Sequence, residues 1–109
     1  MHLVLLPGMD GTGDLFDPFV QAWAGRGTAD VVRYPTDAAL GYDALVDRVR
    51  PTLPHQPFVL VGESFSGPVA VRLAAERPAE LRALVLVASF VRSPVAPALA
   101  RLGAVLAVG

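Results

Sequence analysis

The residue of this sequence best placed to do chemistry is Ser64, which lies in the stretch GESFSG at residues 62–67. The preceding apolar run, residues 58–61, is short and rich in Val and Leu, which is typical of a buried strand. The residues after the serine follow a helical apolar pattern. A serine between small residues on a strand-to-helix turn predicts a nucleophile elbow, Gly-x-Ser-x-Gly, which holds its hydroxyl at the carboxyl edge of a sheet.

Three small residues around Ser64 are expected to build this elbow, namely Gly62, Ser66 and Gly67. Small side chains are needed there so that the strand and the next helix can approach closely. Ser66 replaces the last Gly of the motif and meets this need less well. We interpret Ser66 as a substitute for Gly rather than as a second nucleophile.

A second stretch that could support acyl chemistry is the first loop, residues 7–14, with the sequence PGMDGTGD. An acyl-transfer serine needs N–H donors aimed at the oxyanion that develops during the reaction. The backbone N–H of Phe65, at the start of the elbow helix, is one candidate. An N–H of the first loop, assigned to Met9, is the other.

The glycines of these two stretches do not fit a nucleotide site. Residues 8–13 space their glycines as GxxGxG, whereas dinucleotide sites use GxGxxG. Both stretches match GxxxxG, but Asp14 and Pro68 stand where a phosphate-binding loop needs Lys. We therefore predict no nucleotide cofactor.

The elements that position these loops alternate along the chain as β-α-β-α-β-α-β, with a further helix expected from Ala98 onward. The strands are continuous apolar runs and the helices are apolar on one side, which predicts an α/β fold with a four-stranded parallel sheet covered by helices on both faces. The predicted strands are residues 2–6, 31–34, 58–61 and 84–87, and the elbow helix is expected over 65–77. In such a sheet the loops 8–14, 35–41 and 62–67 meet at the carboxyl edge.

Composition narrows the classes of protein. With 53% apolar and 17% charged residues the chain is no disordered tail, and its 109 residues allow one domain. The net charge of −1, without a basic patch, argues against a nucleic-acid partner. The absence of Cys excludes disulfides and thiolate metal sites, and no cofactor or metal is expected.

Membrane and export signals are also missing from the pattern. The apolar start at residues 1–6 has no basic region before it and is broken at once by Pro7. The apolar tail, residues 95–109, falls short of the roughly 20 residues that span a bilayer. We expect no membrane span and a cytoplasmic location.

The two motifs together resemble the α/β-hydrolase family, in its serine ester hydrolase or acyltransferase type. The likeness rests on LLPGMDGTG at residues 5–13 and GESFSG at 62–67, and extends to ALVLV at 83–87; the Pro7-Gly8 pair stands where the family often has His-Gly. The resemblance covers residues 1–109 as the N-terminal half of the fold, which ends shortly after the family's sixth strand.

The resemblance implies a function. It implies hydrolysis of a small-molecule carboxylic ester by acyl-enzyme chemistry, with Ser64 as nucleophile and the N–H groups of Met9 and Phe65 as the oxyanion hole. The first loop also resembles acyltransferase-like members, so transfer of the acyl group to an alcohol stays open.

The acid and the histidine of the family's triad are absent from this chain. The triad runs Ser, then Asp or Glu, then His, and no histidine follows Ser64. His55 precedes Ser64 by a path that is mostly strand, which at about 3.3 Å per residue places it some 20 Å away at the opposite edge. The chain alone is expected to be inactive. The alternative is a non-catalytic half-domain or pseudo-enzyme that pairs with a partner chain.

The last predicted strand leaves an apolar edge. Its residues are Leu84, Val85, Leu86 and Val87. An unpaired strand edge of this kind is a site for pairing with another chain. We predict self-association through this edge.

Overall fold

Strands and helices alternate along the chain and build one parallel sheet. The computed structural model describes residues 1–8, 11–35, 40–87 and 105–108, with the backbone alone for Leu15 and 105–108. The strands are β1 (His2–Leu6), β2 (Thr28–Val31), β3 (Phe58–Glu63), β4 (Leu81–Val87) and β5 (Val105–Val108). The helices are α1 (Asp17–Trp23), α2 (Tyr42–Val49) and α3 (Gly67–Ala75).

The strand order places the two motifs side by side. The described strands form a five-stranded sheet in the order β2-β1-β3-β4-β5, and each neighbouring pair is parallel. The direction of winding reverses between β1 and β3, where Leu6 pairs with Gly62. Open α/β sheets bind ligands outside the carboxyl ends of the strands at such a switch point. The first loop and the elbow both leave the sheet there.

Helices cover both faces of the sheet, as predicted. One face packs against α1 and the segment before it, and the other packs against α2 and α3. Successive strand residues alternate between these faces, because strand side chains point to opposite sides. The α1 face carries Leu3, Leu5, Val61 and Phe16. The opposite face carries Val4, Leu6, Leu60, Leu84, Leu86 and the buried residues of α2 and α3.

The predicted apolar stripes of the helices are confirmed for α2 and only in part for α1. In α2, the residues Leu45, Val46 and Val49 are buried. In the segment around α1, Phe16 is buried but Phe19 is 46% exposed. None of the helices in the described ranges is long and apolar enough to cross a membrane.

The second strand was predicted wrongly at residues 31–34, since β2 begins at Thr28 and ends at Val31. Pairing with β1 sets these limits, because His2 lies opposite Thr28 and Leu5 opposite Val31. Beyond this point the chain leaves the sheet, and Tyr34 turns into the core. Strands β3 and β4 occupy the predicted positions and are longer than expected.

The elbow helix begins later than predicted. Residues Ser64–Ser66 form a 3-10 turn, and α3 starts only at Gly67. The helix ends at Ala75, and Arg77 takes a left-handed backbone conformation with φ 56° just before Pro78. Left-handed residues commonly end helices, and Pro78 cannot continue one.

The end of the chain corrects two expectations. The helix expected from Ala98 onward is wrong at residues 105–108, which form β5; the predicted loop at 89–97 lies outside the described residues. The fold class is confirmed, with β5 added to the four expected strands. The edge at Leu84–Val87 is not open, because those residues pair with Val105–Val108. Their outward backbone groups are therefore occupied while β5 is in place.

Candidate active site

Ser64 has the backbone conformation that an elbow nucleophile requires. It follows the last residue of β3 and has a φ of 46°. Positive φ is unfavourable for a residue with a Cβ atom and is found mainly where the surrounding fold imposes it. Among the described residues, the only other non-glycine with positive φ is Arg77, which ends a helix. The strain expected at Ser64 is therefore present, while its catalytic role stays a prediction.

Gly62 allows β3 and α3 to approach each other at the elbow. A methyl group added at Gly62 would lie 2.8 Å from the Cβ of Ala70 and 3.0 Å from the carbonyl oxygen of Ser66. Cβ atoms do not approach neighbours this closely without displacing them. The geometry therefore requires glycine at position 62. Gly67 is buried as the first residue of α3, and its N–H donates to the Ser64 carbonyl.

Ser66 is buried and engaged, so it is not available as a nucleophile. Its side chain is fully enclosed. Its Oγ donates a hydrogen bond to the carbonyl of Pro7 and lies 2.5 Å from the hydroxyl of Tyr34. This position contains polar contacts that a Gly residue could not make.

Tyr34 was not predicted from the sequence as a site residue. The apolar pattern assigned Tyr34 to a strand, and the hydrogen bond to Ser66 joins residues 32 positions apart. Burial raises the pKa of Tyr34 to about 12. The phenol is therefore protonated at neutral pH and can donate. A tyrosine at the end of the predicted strand was the only signal in the sequence, and it is a weak one.

Phe65 lies in the first turn after β3. The first N–H groups of a helical segment have no partner within the segment, so the Phe65 N–H is suited to donate a hydrogen bond to a developing oxyanion. Its half-buried ring packs edge-on against Tyr34, with centroids 6.5 Å apart, and stacks on Tyr42 at 5.1 Å. Met9, the other predicted donor, lies outside the described residues.

The described parts of the first loop are held against the elbow and the segment after β2. Gly8 lies beside Glu63, since a Cβ built on Gly8 would be 3.5 Å from the Glu63 carboxyl carbon. The Gly11 N–H donates to the Gly8 carbonyl at 3.0 Å. The N–H of Tyr34 donates in turn to the Gly11 carbonyl at 2.7 Å.

Arg33 adds a further tie to the same loop. Its guanidinium donates to the Thr12 carbonyl and to the Asp14 carboxylate, the latter at 2.9 Å. Gly13, with φ 77°, passes so close to Val31 that a Cβ there would have to displace the Val31 side chain. The segment after β2 thus holds the first loop by both backbone and side-chain contacts.

An apolar cavity of about 220 Å³ opens on the α1 face beside the elbow. Its lining is formed by Leu5, Phe16, Phe19, Val61, Glu63 and Val87. Among the described residues of that lining, Glu63 alone is charged, and it is the residue before Ser64. A space of this composition suits a hydrocarbon group.

Both histidines lie at the amino edge of the sheet, opposite the elbow. His2 is the first residue of β1 and is buried, with its Nδ1 2.5 Å from Thr28 Oγ1 and its Nε2 2.9 Å from Asp30 Oδ2. His55 is exposed and precedes β3. The length of β3, about 3.3 Å per residue, separates both from Ser64. Neither histidine can act as its base.

The described residues also contain no group of three or more His, Asp or Glu side chains placed to hold a metal ion. At the elbow, this part of the chain presents a strained serine and the first backbone N–H groups of a helical turn. These groups fit attack on a carbonyl followed by stabilisation of the oxyanion.

Two comparisons with known proteins found matches to this chain. Residues 31–108 match the family model described as serine aminopeptidase, S33. The chain is 34% identical over 107 residues to phytyl ester synthase 1, chloroplastic, of Arabidopsis thaliana. The match covers 89% of this chain and 15% of that relative, so the chain spans only a small part of the relative's length.

Proposed function

The chain belongs to the α/β-hydrolase superfamily, in the family of the S33 serine aminopeptidases, and we propose that it provides the nucleophile half of a serine enzyme acting on carboxylic esters. The observation that carries the proposal is the left-handed backbone of Ser64, with φ 46°, at the switch point between β1 and β3. The similarity to an ester synthase favours esters over peptides as substrates.

The proposed reaction has two steps. The Ser64 Oγ attacks the ester carbonyl while a general base takes its proton, and the alcohol leaves with a proton returned by that base. Water then attacks the acyl-enzyme and releases the acid. The N–H groups of Phe65 and Met9 are the proposed donors to the oxyanion in both steps.

The proposal requires a base and an acid from residues other than these 109. Both histidines lie at the amino edge of the sheet, opposite the elbow, and no histidine follows Ser64 in the sequence. Without a base, a serine hydroxyl is a weak nucleophile. Removing triad members from a serine enzyme still leaves roughly 10³-fold acceleration from the oxyanion hole and binding. Residual reactivity at Ser64 is therefore expected in the folded chain.

Transfer of the acyl group to an alcohol is the second candidate. The relative in Arabidopsis is named an ester synthase, which supports this reaction. In this version an alcohol replaces water in the second step and a new ester forms. The apolar cavity beside Glu63 is suited to a hydrocarbon portion of either substrate. Product analysis with an acyl donor and a long-chain alcohol, in the presence of a supplied base, separates the two reactions.

A fluorophosphonate probe tests the proposal on the chain as it is. The serine oxygen attacks phosphorus, fluoride leaves and the serine proton passes to solvent or buffer. We expect a slow adduct, mapped by mass spectrometry to Ser64, that is lost in Ser64→Ala and slows when the chain is unfolded in urea.

Two results would overturn parts of this proposal. An adduct rate at Ser64 no higher than in the unfolded chain contradicts a functional elbow and favours a non-catalytic half-domain. Labelling at the rate of a complete serine enzyme, without added base, contradicts the absence of a base.

A further inference from the structure

Ser66 and Tyr34 form a buried relay of hydroxyl groups that ends on the first loop. The carbonyl of Pro7 can only accept a hydrogen bond, so the Ser66 hydroxyl is the donor to it. That bond uses the single proton of Ser66. The 2.5 Å contact between the two hydroxyls must then be donated by Tyr34. The direction is fixed, from Tyr34 to Ser66 to Pro7.

The same tyrosine holds the loop at a second point. Its backbone N–H donates to the Gly11 carbonyl at 2.7 Å. Pro7 and Gly11 are thus both tied to Tyr34, one through Ser66 and one directly. Met9, the proposed oxyanion donor, lies between them in the sequence.

The relay also joins three elements that the reaction needs in register. Ser66 belongs to the elbow turn that contains Ser64, Pro7 follows β1, and Tyr34 follows β2. Both side chains of the relay belong to buried residues, since Ser66 is 0% and Tyr34 8% exposed. Buried hydrogen bonds of this kind fix geometry, because breaking one leaves an unsatisfied polar group away from water.

We propose that Ser66 and Tyr34 are positioning residues that set the distance between the first loop, with its oxyanion donor, and the nucleophile Ser64. The proposal deepens the function proposed above and rests on it. Ser66 in place of the motif's Gly is then an added tie rather than a tolerated substitution. Displacement of a catalytic group by about 1 Å can lower a rate roughly 100-fold.

Two variants remove different numbers of the hydrogen bonds in the relay. Ser66→Ala removes both hydrogen bonds of the relay, and Tyr34→Phe removes only the first. Thr52→Ala is the matched control, because its hydroxyl also donates to a backbone carbonyl, that of Val49 at 2.7 Å, at the far end of α2. Only protein shown to be folded by circular dichroism and urea titration is compared.

The first measurement is the rate of fluorophosphonate labelling of Ser64 with imidazole supplied as base. We expect a decrease of roughly 10- to 100-fold in Ser66→Ala, a smaller decrease in Tyr34→Phe and no change in Thr52→Ala. Wild-type rates in both relay variants, with wild-type protein labelled normally, overturn the positioning role and leave the proposed function standing. If the wild type itself is not labelled, the proposed function fails instead.

The second measurement does not depend on reactivity. Hydrogen exchange of the Gly11 and Tyr34 amides reports on the loop, and that of the Leu73 amide in α3 reports on the whole fold. We expect the loop amides to exchange about tenfold faster in both relay variants while Leu73 keeps its protection relative to global stability. A purely structural role would change all three amides together, and that result contradicts the proposal.

Discussion

At the scale of single residues, the central feature is that Ser64 is held in a left-handed backbone conformation, which is unfavourable for a residue with a Cβ atom. The left-handed backbone of Ser64 is imposed by the fold, since β3 ends immediately before it and a helical turn begins at it. Functional sites commonly store strain of this kind. The strain and the function can be separated by substitution.

Ser64→Gly is expected to stabilise the chain relative to Ser64→Ala. Glycine removes the steric cost of a left-handed conformation, which is about 1 to 2 kcal/mol for a residue with a Cβ atom. Part of this gain is offset because glycine loses more conformational entropy on folding. A net gain of about 0.5 to 1 kcal/mol is expected from urea unfolding. The matched control, Ala75→Gly at the exposed end of α3, is expected to lose a similar amount. A Ser64→Gly chain less stable than Ser64→Ala would contradict the strain.

Tyr34 is expected to make the chain sensitive to alkali. Its pKa is about 12 in the fold, above the ordinary value of 10, because burial disfavours the phenolate. The stabilisation is complete below pH 10 and is lost as the pH rises from 10 to 12, because the unfolded chain ionises first. Between these limits the free energy of unfolding of the wild type should fall about 1.4 kcal/mol per pH unit more steeply than that of Tyr34→Phe. If urea titrations at pH 10, 11 and 12 gave the same dependence of unfolding free energy on pH for the wild type and Tyr34→Phe, the fold would not raise the pKa of Tyr34.

At the scale of elements, the site depends on how closely β3 and α3 approach. Gly62→Ala places a methyl group 2.8 Å from Ala70, and overpacking of this kind costs about 1 to 3 kcal/mol. We expect Gly62→Ala to lower the urea midpoint accordingly and to slow labelling of Ser64. Gly41→Ala is the control, since a Cβ there has nothing within 4 Å. Equal stability of the two variants would mean that the elbow has room for a side chain.

The elements also show what can and cannot be predicted from the sequence. The elbow and its buried strand were predictable because the signal is local: a short apolar run, a serine between small residues and a helical pattern. The limits of β2 were not, because its register comes from β1, which is distant in the chain. Residues 105–108 were assigned to a helix because short apolar runs have no decisive period.

The same distinction between local and distant contacts explains which site residues could be predicted from the sequence. Ser64 and Gly62 were found because their roles follow from the backbone of one turn. The pairing of Ser66 with Tyr34 and Pro7 was missed, because it joins three loops that only the sheet brings together. Residue type alone suggested that Ser66 was a substitute for Gly.

At the scale of the whole molecule, the described sheet has β2 and β5 as its outermost strands. The edge expected at Leu84–Val87 is covered by β5. Self-association by strand pairing on this side of the sheet would therefore use the outer edge of β5. The β2 edge carries an exposed charge at Asp30, and charges on an edge strand oppose pairing.

We expect the chain to associate in sedimentation velocity over a concentration series, and Leu106→Lys to reduce that association because a charge on an edge strand disfavours pairing. Gln21→Lys on the exposed side of α1 is the control for the added charge and should associate like the wild type. A monodisperse monomer at every concentration would contradict the prediction.

The measurement that tests the central claim most directly is the dependence of Ser64 labelling on added imidazole. The fold supplies a strained serine, while both histidines lie at the opposite edge of the sheet, so the described residues place no imidazole at the elbow. General-base catalysis typically raises a reaction rate by 10²- to 10⁴-fold, and added imidazole should raise the labelling rate at least about tenfold. We predict that the rate of fluorophosphonate labelling at Ser64 rises with imidazole concentration in the folded chain and not in urea. A rate that is independent of imidazole, or equal in the folded and unfolded chain, would contradict the account.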